Sequence, residues 1–196
     1  MKNKIKFSAR LVDHIINAIL IFASVFLAFW LNEVRIEKKE VQNTQEAKFA
    51  ILAEWKINKI IVERWNAYHE EILDKEDSFL ENLDTIVLFD LDAIPGLDNG
   101  IQREIITSNG LALLDDEGIS FDISTRLNIN QIYEQQQNVN KATSKIIDDF
   151  LSERELLDPT QGRNNYALFY SLLRNLVEQE NDLIDRLTKT IEEFGR

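Results

Sequence analysis

The feature that most constrains this chain is an uncharged apolar segment near its N-terminus. Ile15–Leu31, IINAILIFASVFLAFWL, is 17 residues long and contains no Asp, Glu, Lys or Arg. As an α-helix it would be roughly 25 Å long, close to the lower limit for crossing the hydrocarbon core of a bilayer. Trp30 lies at its end, where an aromatic ring favours the membrane interface. The sequence predicts a transmembrane helix within residues 11–32.

Two other interpretations of this segment are weaker. A cleavable signal peptide needs small residues at alternate positions after the apolar stretch, and Phe29–Glu33 (FWLNE) offers none. A buried helix of a soluble protein is disfavoured because every face of the segment is apolar, with only Asn17 and Ser24 as mild exceptions. We therefore expect an uncleaved, single-pass anchor.

The basic residues that flank the anchor predict its orientation. Four precede it (Lys2, Lys4, Lys6 and Arg10), and the three that follow it are interleaved with Glu33, Glu37 and Glu40. Basic residues favour the cytoplasmic side, so residues 1–10 are predicted to be cytoplasmic and residues 33–196 to be exported. We expect the inner membrane with a periplasmic main domain, and the absence of Cys suits that compartment.

Charge excludes one class of partner. Residues 1–40 carry a net charge of +3, whereas the remainder carries −15, giving −12 for the whole chain. A domain this acidic repels phosphate backbones, so DNA or RNA binding is excluded. The expected partners are the membrane itself and either further copies of the chain or another membrane protein.

The rest of the chain predicts long helices. It has few helix breakers, with six Gly and two Pro, and none of either between Met1 and Ile94. Apolar residues recur at three-four spacing in three stretches. The first is Ala50, Ala53, Ile57, Ile61, Trp65, Tyr68, Ile72, Phe79, Leu83 and Ile86; the second is Ile129, Ile132, Gln136, Val139, Thr143, Ile146, Phe150 and Leu157; the third is Phe169, Leu172, Leu176, Leu183, Leu187, Ile191 and Phe194.

Three helices with one apolar stripe each must bury those stripes together. The predicted fold is all-α: the transmembrane helix continues outward as a stalk, with a bend at Asn43-Thr44 or Asp74–Ser78. The stalk and the two long helices that follow it form an antiparallel three-helix bundle. In this bundle the chain runs away from the membrane, back towards it and away again. A short helix ending at Asn109, with Gly110 as its left-handed C-terminal cap, would cover the distal end. A coiled-coil dimer next to the membrane is a variant of this arrangement.

Few residues suggest chemistry, and we predict no enzyme, cofactor or metal. His69 lies among carboxylates, but zinc needs three or four ligands and the other histidine, His14, lies across the anchor, so a structural hydrogen bond or an exposed position is expected. Asp13 and His14 are expected at the headgroup boundary rather than in an ion path. The pairs Asp115-Asp116 and Asp148-Asp149 lack the ligand pattern of a calcium loop.

Several segments together resemble a family of uncharacterised single-pass bacterial membrane proteins. They are the anchor exit with Asn32, Glu33 and Arg35; the stalk with Glu54, Asn58 and Tyr68-His69; the turn Ser108–Leu113; and Ile132-Tyr133-Glu134 with Gln136. Val34 stands where those proteins usually carry Trp. The resemblance implies an anchored helical bundle and no assigned activity.

The sequence favours a non-enzymatic, membrane-anchored structural or interaction protein, an accessory or scaffold subunit of a membrane complex. An alternative is an extracytoplasmic sensor that binds a small ligand between its helices, suggested by polar Gln136 and Thr143 in an otherwise apolar stripe. A third and weaker hypothesis is a stator-like subunit that conducts ions through Asp13.

Overall fold

A computed structural model describes residues 9–83, 88–101, 104–152 and 161–195, and within these ranges the regular structure is helical. Helix α1 is 65 residues long and is followed by short elements and two further long helices. The elements are α1 (Ala9–Leu73), α2 (Glu76–Glu81), 3₁₀ turns at Leu91–Ala93 and Asn109–Asp115, α3 (Ile123–Ile147) with a π-helical extension at Asp148–Ser152, and α4 (Gly162–Phe194).

The long helix α1 joins the apolar N-terminal segment to the rest of the protein without a break. At 1.5 Å per residue it extends for roughly 100 Å. It stays helical through Asn43-Thr44, where a bend was predicted, and it ends at Leu73, next to the other predicted bend. An 18-residue window within it has a mean hydropathy of 2.2, and none of that window is buried. The segment is therefore compatible with a membrane anchor.

The directions of the long helices differ from the predicted order of out, back and out. Trp55 of α1 packs on Phe194 at the end of α4, with 5.2 Å between ring centroids. Further along the chain, Phe79 packs on Tyr170, near the start of α4. Helix α4 also runs against α3, since Phe150 contacts Phe169. Consequently α1 and α3 point the same way, and α4 is the helix that returns.

The segment that connects α2 to α3 runs antiparallel to α1, along the side of that helix. Its backbone N–H groups bind successively earlier α1 side chains: Asn99 binds Tyr68, Thr107 binds Asn58, Gly110 binds Glu54 and Ser120 binds Thr44. The predicted order was wrong because the described residues of this segment run back along α1 without forming a long helix.

The predicted capping helix was also wrong in detail. Residues 105–108 are not helical, and a 3₁₀ helix begins at Asn109, where a helix was expected to end. Gly110 lies inside that 3₁₀ helix, whereas the glycines with positive φ are Gly96 and Gly100. The short α2 follows a two-residue turn after α1 instead.

The buried face of α1 is not the apolar stripe predicted for its first half. Ala50, Ala53 and Ile57 are exposed, and the side chains that face the core lie on another side of the helix. That buried set is Ala47, Ile51, Leu52, Trp55, Asn58, Val62, Trp65, Asn66, His69 and Ile72. Hydrophobic periodicity missed it because polar Asn58 and His69 interrupt the buried face.

The stripes on α3 and α4 were predicted correctly. All seven positions from Ile129 to Phe150, on α3 and its π-helical extension, are buried, and Leu157 lies outside the described residues. On α4, five of the seven predicted residues are buried, and Leu172 and Ile191 are partly buried. Asp122 starts α3, because its carboxylate accepts a 2.9 Å hydrogen bond from the Thr125 N–H.

Candidate functional site

The most polar part of the interior is a buried histidine–carboxylate pair that joins α1 to α4. His69 Nδ1 lies 3.0 Å and 3.1 Å from the two carboxylate oxygens of Glu180. The side chains are 0% and 1% exposed, respectively. Beside them the Asn66 amide donates to the Val177 carbonyl on α4. The predicted structural hydrogen bond of His69 is therefore confirmed.

Aromatic side chains of α1 surround the His69 ring. The ring lies against Trp65 and Tyr68, with centroid distances of 5.7 Å and 5.5 Å. Its Nε2 atom is buried and has no hydrogen-bond partner among the described residues. Its Nδ1 atom is the ring nitrogen that joins α1 to α4. A buried pair of this kind holds two helices in register, and loss of one partner would leave the other uncompensated.

Glu180 was not identified from the sequence, although a signal was present. It lies four residues after Leu176 and three before Leu183, two residues that are fully buried. An acidic residue at this spacing faces the core of a helix. Because a carboxylate is almost never fully buried unless it is paired, such a position predicts a buried partner on another helix.

A second buried network joins α1, α3 and the connecting segment. The Tyr133 hydroxyl donates to Glu54 Oε1 at 2.9 Å, and the Gly110 N–H donates to Glu54 Oε2 at 3.1 Å. Burial raises the pKa of the Tyr133 hydroxyl far above its usual value, and the Glu54 charge and hydrogen bond raise it further. Each oxygen of Glu54 thus fixes a different element against α1.

Gly110 allows the second network to form because it has no side chain. A Cβ atom at this position would lie 2.2 Å from the Tyr133 hydroxyl and 2.8 Å from Ile51 Cγ1. Both distances are far below ordinary van der Waals contact. One turn along α1, Asn58 binds Thr107 through both the N–H and the carbonyl of that residue, at 3.1 Å and 2.7 Å.

The polar positions that suggested a ligand site behave differently from each other. Thr143 is buried and donates a 3.0 Å hydrogen bond to the Val139 carbonyl in its own helix. Gln136 is 2% exposed, yet neither its amide nitrogen nor its amide oxygen has a hydrogen-bond partner in the described part of the chain. An unsatisfied buried amide destabilises the fold, and Gln136 differs from the other buried side chains with an unpaired polar atom because both of its polar atoms are unpaired.

The remaining acidic candidates lie at the surface. Asp13 and His14 are exposed on the apolar part of α1, and Asp115, Asp116 and Asp148 are exposed as well. Asp149 is partly exposed and pairs with Lys145 at 2.9 Å within one helical turn. Within the described ranges, no group of three or more His, Cys, Asp or Glu side chains is arranged to hold a metal ion.

Several residues that carry the family resemblance meet in these networks. Glu54 binds both Tyr133 and Gly110, and Asn58 and His69 make further polar contacts between α1 and its neighbours. Comparison with family models, curated proteins and solved structures finds no match to the chain. The resemblance therefore stays a prediction.

Proposed function

We propose that this chain is a single-pass membrane protein whose helical domain serves as a non-enzymatic structural or interaction subunit. Residues 11–32 cross the inner membrane, residues 1–10 lie in the cytoplasm and residues 33–196 lie in the periplasm. In this proposal α1, α3 and α4 form the three-helix bundle of the exported domain.

The exposed apolar segment of α1 is the observation that supports this proposal most. Large side chains such as Phe22, Phe26 and Phe29 are 65–75% exposed, although apolar residues of this size are normally buried in a soluble protein. A bilayer would cover them. The helix then leaves the membrane and enters the polar networks of the domain without a linker, which suits a rigid scaffold better than a tethered catalyst.

The polar interior supports a structural role for the domain. His69, Glu180, Glu54 and Tyr133 have the functional groups needed for acid–base chemistry, but each is hydrogen-bonded to a neighbouring helix or connection. These contacts fix the positions of the helices relative to α1. The acidic surface, part of a net charge of −15 beyond residue 40, keeps the domain soluble and disfavours its lying on anionic lipid.

Cysteine accessibility tests both the anchor and its orientation, because the chain has no Cys of its own. The matched variants are Ser8→Cys, before the anchor, and Ser144→Cys, at an exposed position of α3. A membrane-impermeant maleimide is expected to label the Ser144→Cys variant in cells with a permeabilised outer membrane. The Ser8→Cys variant should react only after lysis. Extraction of the protein by alkaline carbonate, or the opposite labelling pattern, would contradict the proposal.

Gln136 favours a second candidate function, a sensor that binds a small polar ligand between the helices. A ligand with one donor and one acceptor would satisfy both amide atoms. A thermal-shift screen should then find a compound that stabilises the native protein but not a Gln136→Met variant. If Gln136 has no ligand, the free energy of unfolding of the Gln136→Met variant should exceed that of the native protein by up to about 3 kcal/mol, because the substitution removes an unsatisfied buried group.

A further inference from the structure

Helix α1 carries an apolar face that is exposed in the described part of the protein. Six residues of the helix follow one another at alternating spacings of three and four, and all six are exposed. They are Ala50, Ala53, Ile57, Ile60, Arg64 and Ala67, and we refer to them as the α1 seam. Ile57 and Ile60 are each 58% exposed, and Phe49 at the edge of the seam is 68% exposed. This spacing is that of the a and d positions of a coiled coil.

The α1 seam lies on the opposite side of the helix from the core of the domain. If Ile57 is an a position, Trp55, Val62 and His69 all occupy f, the position that points away from a coiled-coil partner. All three of these residues are buried in the domain. One helix therefore has two faces: one packs mainly on α4 and on the connecting segment, and the other is exposed among the described residues.

Arg64 is the one charged residue in the α1 seam, and its charge is compensated within the same chain. Its guanidinium donates two 2.9 Å hydrogen bonds to the carboxylate of Glu104. An arginine held in this way presents a neutral ion pair to a neighbour instead of an isolated positive charge.

The same register continues into the apolar part of α1. Counting back in heptads from Ile57 places Ile36, Phe29 and Phe22 at a positions and Val25 at a d position, and all four are exposed. Polar Lys39, Asn43 and Glu46 separate the two apolar parts. Because α1 is continuous, a partner that follows the seam outside the membrane would meet the same face within it.

We propose that the α1 seam binds a second copy of this chain, in parallel and in register. The inference rests on the proposed membrane anchor, since anchoring holds every copy in the same orientation and at the same depth. Each seam residue then lies opposite its own counterpart, as in a two-fold symmetric interface. A parallel coiled coil has this geometry.

Lipid cannot cover the distal part of the seam. Ile57 lies 26 residues beyond Leu31, which places it roughly 39 Å further along the helix. The headgroup region extends only about 5–8 Å from the hydrocarbon core. A protein surface is therefore needed to bury Ile57 and Ile60.

The exposed area of this face, counted inside and outside the membrane together, is close to what a dimer needs, and within the membrane the partner would take the place of lipid on Phe22, Val25 and Phe29. Phe22, Phe29 and Phe49 are 75%, 72% and 68% exposed. Since a phenylalanine buries about 150–250 Å², these three offer roughly 300–550 Å². Four aliphatic residues of the same face, each about half-exposed or more, bring the total towards the ~800 Å² that a standard interface takes from each partner. They are Val25, Ile36, Ile57 and Ile60.

Disulfide cross-linking of the full-length protein in native membranes tests this inference. The variants are Ile57→Cys and Ile60→Cys in the seam, with Ser144→Cys on α3 as the matched exposed control. Mild oxidation is expected to convert most of each seam variant to a covalent dimer and little of the control. Failure of both seam variants to cross-link, or equal cross-linking of the control, would overturn the inference.

A charge substitution tests the seam without cysteine chemistry. Both isoleucines are exposed in a single chain, so Ile57→Lys with Ile60→Lys should leave folding and membrane association unchanged. The yield of cross-linked dimer should fall at least about tenfold, because the two copies would bring like charges together. The bifunctional cross-linker must not react with amines, since the variant carries additional lysines. Unchanged dimer yield would overturn the inference. Loss of native protein from the membrane fraction would instead refute the proposed anchor.

Discussion

The contact between Gly110 and Tyr133 allows a demanding test of the described packing. Replacing Gly110 with alanine would place a methyl group 2.2 Å from the Tyr133 hydroxyl and 2.8 Å from Ile51 Cγ1. Both neighbours are essentially fully buried, so neither can move into solvent without disturbing the core. The tyrosine hydroxyl would have to leave Glu54, its hydrogen-bond acceptor.

Two effects set the expected magnitude of Gly110→Ala. Overpacking of a core by one methyl group costs about 1–3 kcal/mol. Loss of a hydrogen bond to a charged group adds about 1.5–3 kcal/mol. We expect the free energy of unfolding to fall by roughly 2.5–6 kcal/mol. Urea unfolding of the full-length protein in detergent, followed by the fluorescence of buried Trp55 and Trp65, would measure it.

A double-mutant cycle with Tyr133→Phe separates this clash from a general disturbance. Phenylalanine removes the hydroxyl that the introduced methyl group would contact first, so the two substitutions together should cost less than the sum of their separate effects by about 1–2 kcal/mol. Gly118→Ala is the control, because its closest neighbour is the end of the Asn43 side chain, and it should change stability by less than about 1 kcal/mol. Additive effects of Gly110→Ala and Tyr133→Phe would refute the reasoning.

Three further predictions concern charged and titratable groups. His69→Leu should lower the free energy of unfolding by about 3–5 kcal/mol by leaving Glu180 buried without its partner, and adding Glu180→Leu should restore part of the loss. Arg64→Ala, at an exposed ion pair, should cost less than about 1 kcal/mol in the same urea assay. The raised pKa of Tyr133 means that the folded state retains a proton that the unfolded state loses, so stability should fall as the pH rises above 10.0. Tyr133→Phe should weaken this alkaline loss, as measured by thermal melts between about pH 9 and 11.

The sequence predicted those parts of the fold in which hydrophobic periodicity and burial coincide. On α3, the stripe from Ile129 to Phe150 includes polar Gln136 and Thr143, and the pattern still identified the buried face because five apolar residues surround them. On α1, the apolar residues lie on two faces. Ile57 and Ile60 extend the exposed face, whereas Asn58 interrupts the buried one, so the pattern selected the wrong side.

The direction of the helices and the polar networks depend on contacts that are distant in sequence. Glu54 binds Gly110 and Tyr133, 56 and 79 residues away, and His69 binds Glu180, 111 residues away. A single sequence contains no direct information on such pairs. The return of residues 99–120 along α1 was missed for the same reason, since it depends on hydrogen bonds from backbone groups rather than on an apolar stripe.

The uninterrupted α1 also sets a distance. Asn43, whose side chain lies beside Gly118 of the connecting segment, is 12 residues beyond Leu31, and none of the residues between them is buried. On the proposed anchoring, this length of helix raises the body of the domain roughly 18 Å above the membrane. Because α1 is continuous over this length, it fixes the distance between the membrane and the body of the domain. A partner that reached the domain from the membrane surface would have to match that distance.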